Sequence, residues 1–223
     1  MTVRLRNWLS LVLVIVVALG MAAWANEWFT SSPPDTAAGP SETTAAGDQA
    51  TALRRLAELT VEPPGSMVGY SRDMFPHWRI VEGKCDTRET VLKRDGQDVK
   101  TDAECRAVSG TWTSPYDGAT WTEAADLDID HSVPLAAAWR SGAAEWTEER
   151  REEFAGDMIR HQLIAVTDNV NQAKGDQNPD QWRPPLMSYW CTYSINWIEV
   201  KHYYQLSIND AERNALVDML NHC

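Results

Sequence analysis

Asp126-Leu-Asp-Ile-Asp-His-Ser-Val-Pro-Leu135 and Asp168-Asn-Val-Asn-Gln-Ala-Lys-Gly-Asp176 are the two stretches that decide how this chain is read. In the first, apolar and polar residues alternate from Leu127, so Leu127–Val133 is expected to be a strand stopped by Pro134. Alternation sets Asp128 and Asp130 on one side of that strand and leans His131 to the other. The second stretch follows Leu163-Ile-Ala-Val166, a short apolar run with the look of a buried strand. It opens a helix over Val170–Lys174 that Gly175 ends. On such a helix Asn171 and Lys174 share a face, one turn apart.

These residue types suit the hydrolysis of a phosphodiester. That reaction needs a group to deprotonate water and positive charge to neutralise the phosphate and the leaving oxygen. His131 is the natural general base. Asp130 and Asn171 offer hard oxygen ligands for a divalent cation, Mg²⁺ first and Mn²⁺ next, with waters and phosphate oxygens completing the shell. Taken singly, an Asp-His pair is usually a surface pair and an Asn is usually a helix cap. The weight lies in finding base, ligands and Lys174 together after strands of suitable length.

The pattern Asp130-His131 … Asn171-x-x-Lys174-Gly175-Asp176 resembles the HNH (ββα-metal) nuclease superfamily. The longer string Asp128-Ile-Asp-His-Ser-Val-Pro-Leu-Ala-Ala-Ala-Trp139 narrows the resemblance. So do Ser141-Gly-Ala143, Trp146, Arg151-x-x-Phe154-Ala-x-Asp157 and Trp182-x-Pro-Pro185. With Gly69-Tyr-Ser-Arg-Asp-Met-Phe-Pro-His-Trp78 and Cys85-Asp-Thr-Arg88, the chain is similar to exported HNH proteins related to the C-terminal domain of the GmrSD restriction enzyme. The likeness covers roughly residues 52–223. It implies His131 as base, Asp130 and Asn171 as metal ligands, and Lys174 as a phosphate contact. It also implies that the middle Asn of the HNH name falls on Gln162, whose amide would orient the His-bearing loop. The cysteines of zinc-stapled members correspond to Thr167 and Val170, so no structural zinc is expected. Asp128 is either a group supporting the ligands or a solvated edge charge. Arg72 either clamps a phosphate or pairs with a local acid. His77, His161, His202 and His222 read as non-catalytic, and Lys201-His202 lies on a late helix that could approach substrate.

Outward from this centre, residues 50–223 read as one α+β domain, an HNH core with added helices. Ala50–Leu59 is expected to be a short helix capped by Asp48, with Leu53, Leu56 and Leu59 near one face. Gly110–Ser114 has strand alternation and Pro115–Gly118 a turn. Leu135–Arg140 and Thr147–Phe154 are helical, and Trp190–Tyr204 and Asp210–Leu220 read as the last two helices. Residues 26–49, rich in Ser, Thr, Pro, Ala and Gly, read as a disordered tether. Arg4 and Arg6 before the apolar run Trp8–Trp24, with Ala23-Trp24-Ala25 after it, read as a signal peptide over 1–25. The alternative is an uncleaved anchor, the only route to membrane association. Either way the body lies outside the cytoplasm, secreted if cleavage occurs. Cys85, Cys105, Cys191 and Cys223 permit three pairings in an oxidising compartment. Cys85–Cys105 and Cys191–Cys223 each close a local segment and are favoured.

The formal net charge is −12, and cleavage would leave −14. Affinity for nucleic acid comes mostly from Lys and Arg that replace counterions, so tight or sequence-specific DNA binding is not expected. Low-affinity, cation-dependent, sequence-tolerant cleavage is expected instead, with a bound cation, Lys174, Arg160 and Arg183 supplying local positive charge. Of the 11 tryptophans, Trp8, Trp24 and Trp28 lie in or just after the export segment, and most others sit in apolar patterns and read as core. No obligate protein partner is evident. The competing reading is a non-catalytic exported binding module that keeps a vestigial HNH fold; retention of base, ligands and lysine together speaks against it.

Overall fold

The computed structural model describes residues 42–223, which form one compact unit. The signal-peptide reading lies outside the described residues, as does most of the tether. Helix α1, Glu42–Glu58, begins well before the expected start and carries Asp48 within it rather than at its cap. Its buried stripe is Ala52, Leu56 and Leu59, whereas Leu53 is exposed. The 52, 56, 59 spacing is one helical face; a stripe through residue 53 turns away from it.

Strands β1 (Ile80–Glu82) and β2 (Cys85–Asp86) pair antiparallel. Asp86 then caps helix α2, Thr87–Asp95, by accepting from the Glu89 backbone N–H at 2.9 Å. Strands β3 (Gln97–Thr101), β4 (Ala107–Thr113) and β5 (Thr120–Trp121) form an antiparallel sheet in that order. Trp112 of β4 is buried and donates its indole N–H to the Leu92 carbonyl at 2.7 Å. Gly96 makes room for that ring, because a Cβ there would lie 2.4 Å from its indole nitrogen.

Strand β6, Leu127–His131, pairs antiparallel with β7, Leu163–Thr167, in the register Leu127↔Thr167 to His131↔Leu163. Between them come helices α3, Leu135–Arg140, and α4, Glu148–Ala155, the latter capped by Thr147 as its sequence requires. Helix α5, Asp168–Lys174, follows β7 directly, and this β6–β7–α5 succession is the expected strand–strand–helix core. Helices α6, Trp190–Tyr204, and α7, Asp210–Leu220, close the chain at the limits read from the sequence.

Two apolar cores clamp the β6–β7 ribbon. Leu127, Ile129, Leu163 and Ala165 pack with Val91, Leu92 and Trp112 in the smaller one. Val166 joins the larger one, built by α1, α3, α4, α6 and α7 around Trp139, Phe154, Trp197 and Tyr204. Burial of large aromatic side chains of this kind stabilises by about 1.5–3 kcal/mol each. Disulfides join Cys85 to Cys105 and Cys191 to Cys223, the two pairings expected. Among the described residues no helix is long and apolar enough to cross a membrane.

Candidate active site

Strand β6 ends where its side chains are needed. Its register keeps Ile129 on the small core while Asp128 and Asp130 emerge on the opposite side, and His131 closes the strand. The turn that follows is pinned by Gln162. The Ser132 N–H donates to the Gln162 carbonyl at 2.7 Å. The Gln162 side chain, fully buried, accepts from the Val133 N–H at 3.1 Å and donates to the Val133 carbonyl at 2.9 Å. A glutamine thus grips both polar groups of one loop peptide position, the task expected of the middle residue of the motif.

His131 is 4% exposed, and its Nε2 lies 2.9 Å from the Ala155 carbonyl. A carbonyl only accepts, so Nε2 carries the proton and Nδ1 keeps its lone pair. Burial pushes the imidazole down to about 3, so the ring is neutral at ordinary pH. Asp130 is held differently. Lys174 donates to its Oδ1 at 2.9 Å and Oδ2 at 2.7 Å, and to the His131 carbonyl at 2.9 Å. Tyr116 adds its hydroxyl proton to Oδ2 at 2.5 Å. Burial pushes Asp130 up and Lys174 down, each opposed by the other's charge. Three acceptors around Nζ call for three protons, which makes the pair ionic.

This corrects the expected role of Lys174. The side chain is fully buried and its three protons are spent, so it cannot meet a phosphate; it holds Asp130 instead. The shared helix face was correct, but Asn171 sits toward the mouth and Lys174 deeper. Gly175, at φ +54°, ends α5 in the left-handed region while its N–H bonds the Asn171 carbonyl at 2.9 Å. Asn171 donates its amide to Asp128 Oδ2 at 3.2 Å, leaving its amide oxygen as a free acceptor. Asp128 is therefore the group that turns the asparagine.

A cavity of about 290 Å³ brings these groups together, lined by Asp130, His131, Asn171, Arg72, Tyr70 and Asp176 among others. The donor types fit a hard cation: Oδ1 of Asp130 retains a lone pair, Asn171 offers its amide oxygen, and the Asp128 carboxylate lies close enough to perturb Asp130. Among the described residues no three His, Cys, Asp or Glu side chains cluster as a self-sufficient metal cage. A cation here would lean on water and phosphate oxygens. Thr167 meets Trp121 and Asp117 by hydrogen bonds at 2.8 and 3.1 Å.

Other expectations are not met. Arg160 pairs with Asp157 and Arg183 with Asp218, so neither adds charge to this cavity. Lys201 is fully buried against Glu212 at 2.7 Å, and His202 contacts Glu58 at 2.7 Å, so the late helix offers substrate neither side chain. A larger cavity of about 490 Å³ along β7 is lined by Arg94, Asp95 and Arg160, all committed to ion pairs. Two neighbours had no part in the site as read from the sequence, which takes His77 as non-catalytic. Tyr116, read only as part of a turn, is the buried donor to Asp130. His77 lies with its ring centroid 5.6 Å from that of His131. Neither has a spacing signal, because each arrives from a distant segment.

The model of the C-terminal domain of GmrSD restriction endonucleases matches residues 86–219, a span holding β6, β7 and α5. The chain belongs to this family. The GmrSD C-terminal domain is nuclease-related, and here its match begins at the cap of α2 and ends within α7. The chain is 62% identical over 173 residues to an uncharacterized secreted protein of Arthroderma benhamiae, covering 78% of this chain and 85% of that one. No solved structure matches the chain.

Proposed function

We propose that this GmrSD-family chain is an exported, divalent-metal-dependent endonuclease of low sequence specificity, acting on DNA and in principle on RNA. The observation that carries the reading is His131, neutral and locked with Nδ1 free, in one cavity with Asp130 and the unpaired amide oxygen of Asn171. The family match and the secreted relative support it.

Asp130 and Asn171 would hold the cation, with Mg²⁺ the first choice and Mn²⁺ the second. When bound, such an ion polarises the phosphate oxygens and stabilises charge on the leaving oxygen. His131 Nδ1 accepts the proton of the attacking water. Its Nε2–H on the Ala155 carbonyl keeps the ring from turning, which preserves the line of attack. A base held near 3 is weak, and the phosphodiester anion beside it favours the protonated ring, strengthening the base as substrate docks. Lys174 and Tyr116 keep the buried Asp130 ionised, and Asp128 presents the Asn171 oxygen.

Supercoiled plasmid incubated with the purified chain and Mg²⁺ should be nicked and then linearised, and EDTA should stop it. His131→Ala should lower the rate by about 10²–10⁴. A plasmid left intact by the wild-type chain across a range of divalent metals rules the reading out.

A further inference from the structure

Arg72 stands apart from every other described arginine. The others pair with acids, as Arg79 does with Glu152 and Arg140 with Asp176, or donate to hydroxyl or carbonyl oxygens, as Arg88 and Arg151 do. Arg72 has no ion pair or hydrogen bond from its guanidinium among the described residues, yet it lines the cavity of His131, Asp130 and Asn171. Leaving an arginine unpaired is conspicuous in a chain of net charge −12.

Arg72 is exposed, and its backbone is held from both sides. Ser71 caps the single turn Arg72–Met74 by accepting from the Asp73 N–H. Phe75 is fully buried, with its ring 6.3 Å from Trp139 and 6.2 Å from Phe154. Beyond that anchor, His77 is tied to the Phe75 carbonyl at 2.5 Å, and its ring lies 4.7 Å from Trp78. Trp78 is 48% exposed, whereas Trp112 and Trp197 are buried. The indole therefore stands two ring contacts from His131, on the same short segment as the unpaired guanidinium.

We propose that Arg72 and Trp78 form the nucleotide-binding edge of this site. The guanidinium takes the non-bridging oxygens of the phosphate, and the indole stacks on an unpaired base beside it. The preferred substrate is then single-stranded or locally unpaired nucleic acid. In an intact duplex each base has both faces covered by its neighbours, so Trp78 has nothing to stack on. With a net negative protein, backbone contacts alone hold a duplex weakly. The inference rests on the nuclease reading for its substrate class, but binding can be measured without cleavage.

The test is fluorescence anisotropy of a short labelled single-stranded oligonucleotide and of its duplex, in EDTA, with the full chain and with Trp78→Ala, Trp78→Phe and Arg72→Ala. The wild-type chain should prefer the single strand. Trp78→Ala should lose roughly five- to a hundredfold on the single strand and little on the duplex, with Trp78→Phe retaining most of the affinity. Arg72→Ala should weaken both and reduce the salt slope by about one. Equal affinity for single strand and duplex, no binding of either, or a single-strand affinity unchanged by Trp78→Ala would overturn the proposal. Binding as described without cleavage by any divalent metal sinks the nuclease reading alone. Plasmid nicking with a silent Trp78→Ala sinks this one alone.

Discussion

His131 shows how much one backbone carbonyl decides. The Ala155 oxygen selects the tautomer, and burial removes the charged form from the folded state. The same facts set a stability signature. The folded-state value is about 3 against an unfolded 6.5, so between those limits the unfolded chain binds the extra proton. The stabilisation is complete above pH 6.5 and is lost as pH falls toward 3, at about 1.4 kcal/mol per unit at the steepest. His161 is raised by its Glu199 contact and so has the opposite sign, losing its contribution as pH rises through its folded value, but it is largely exposed and small in effect. Thermal melts of the wild-type chain should fall more steeply between pH 6.5 and 4 than those of His131→Asn; parallel curves would refute the burial account. At this scale alternation and helix spacing anticipated that Asp130, His131 and Asn171 line one cavity. The sequence was not readable for Lys174, because helix spacing assigns a face but not a depth. Its partner, Asp130, sits on a strand forty-odd positions earlier.

The β6–β7–α5 unit was legible because alternation, a proline stop and a glycine end all pointed to the same three elements. The limits of α6 and α7 were legible too, α7 through its Asn209 cap on the Glu212 N–H at 2.9 Å. Helix α1 was misread at its start, because the Thr-, Ala- and Gly-rich residues 42–49 carry no apolar stripe and read as tether, and at its face, because a stripe of Ala52, Leu56 and Leu59 looks much like one through Leu53 until α6 and α7 choose between them. What joins β6 to β7 in a working geometry is Gln162, which serves Val133 twice from within the core. Replacing it by Leu leaves a buried N–H and a buried C=O without partners, at about 1–3 kcal/mol each. Gln162→Leu should therefore lose roughly 2–6 kcal/mol in urea unfolding. Plasmid nicking should drop with it, as the His131 turn slackens, while oligonucleotide binding at Trp78 stays near wild type. A variant as stable as the parent would mean that the glutamine only fills space.

Across the whole molecule, acids outnumber bases, and two of the basic groups expected to serve the site are instead held by acids elsewhere, Arg160 by Asp157 and Arg183 by Asp218. The two disulfides are arranged with a similar separation of duties. Cys85–Cys105 ties β2 to the β3–β4 turn, and Cys191–Cys223 ties the start of α6 to the chain end, across separations of 20 and 32 residues. Neither crosses β6, β7 or α5, so neither sets a distance within the cavity of His131, Asp130 and Asn171. Their contribution is to the unfolded chain, whose freedom each loop restricts by about 3–4 kcal/mol. For a domain of this size that corresponds to roughly 6–15 °C in Tm for each bridge. Full reduction should therefore lower the thermal transition markedly while leaving plasmid nicking unchanged at temperatures where circular dichroism still reports a folded chain. Activity lost on reduction, in protein that remains folded, would show instead that the bridges shape the site, and would place the catalytic geometry outside the β6–β7–α5 unit alone.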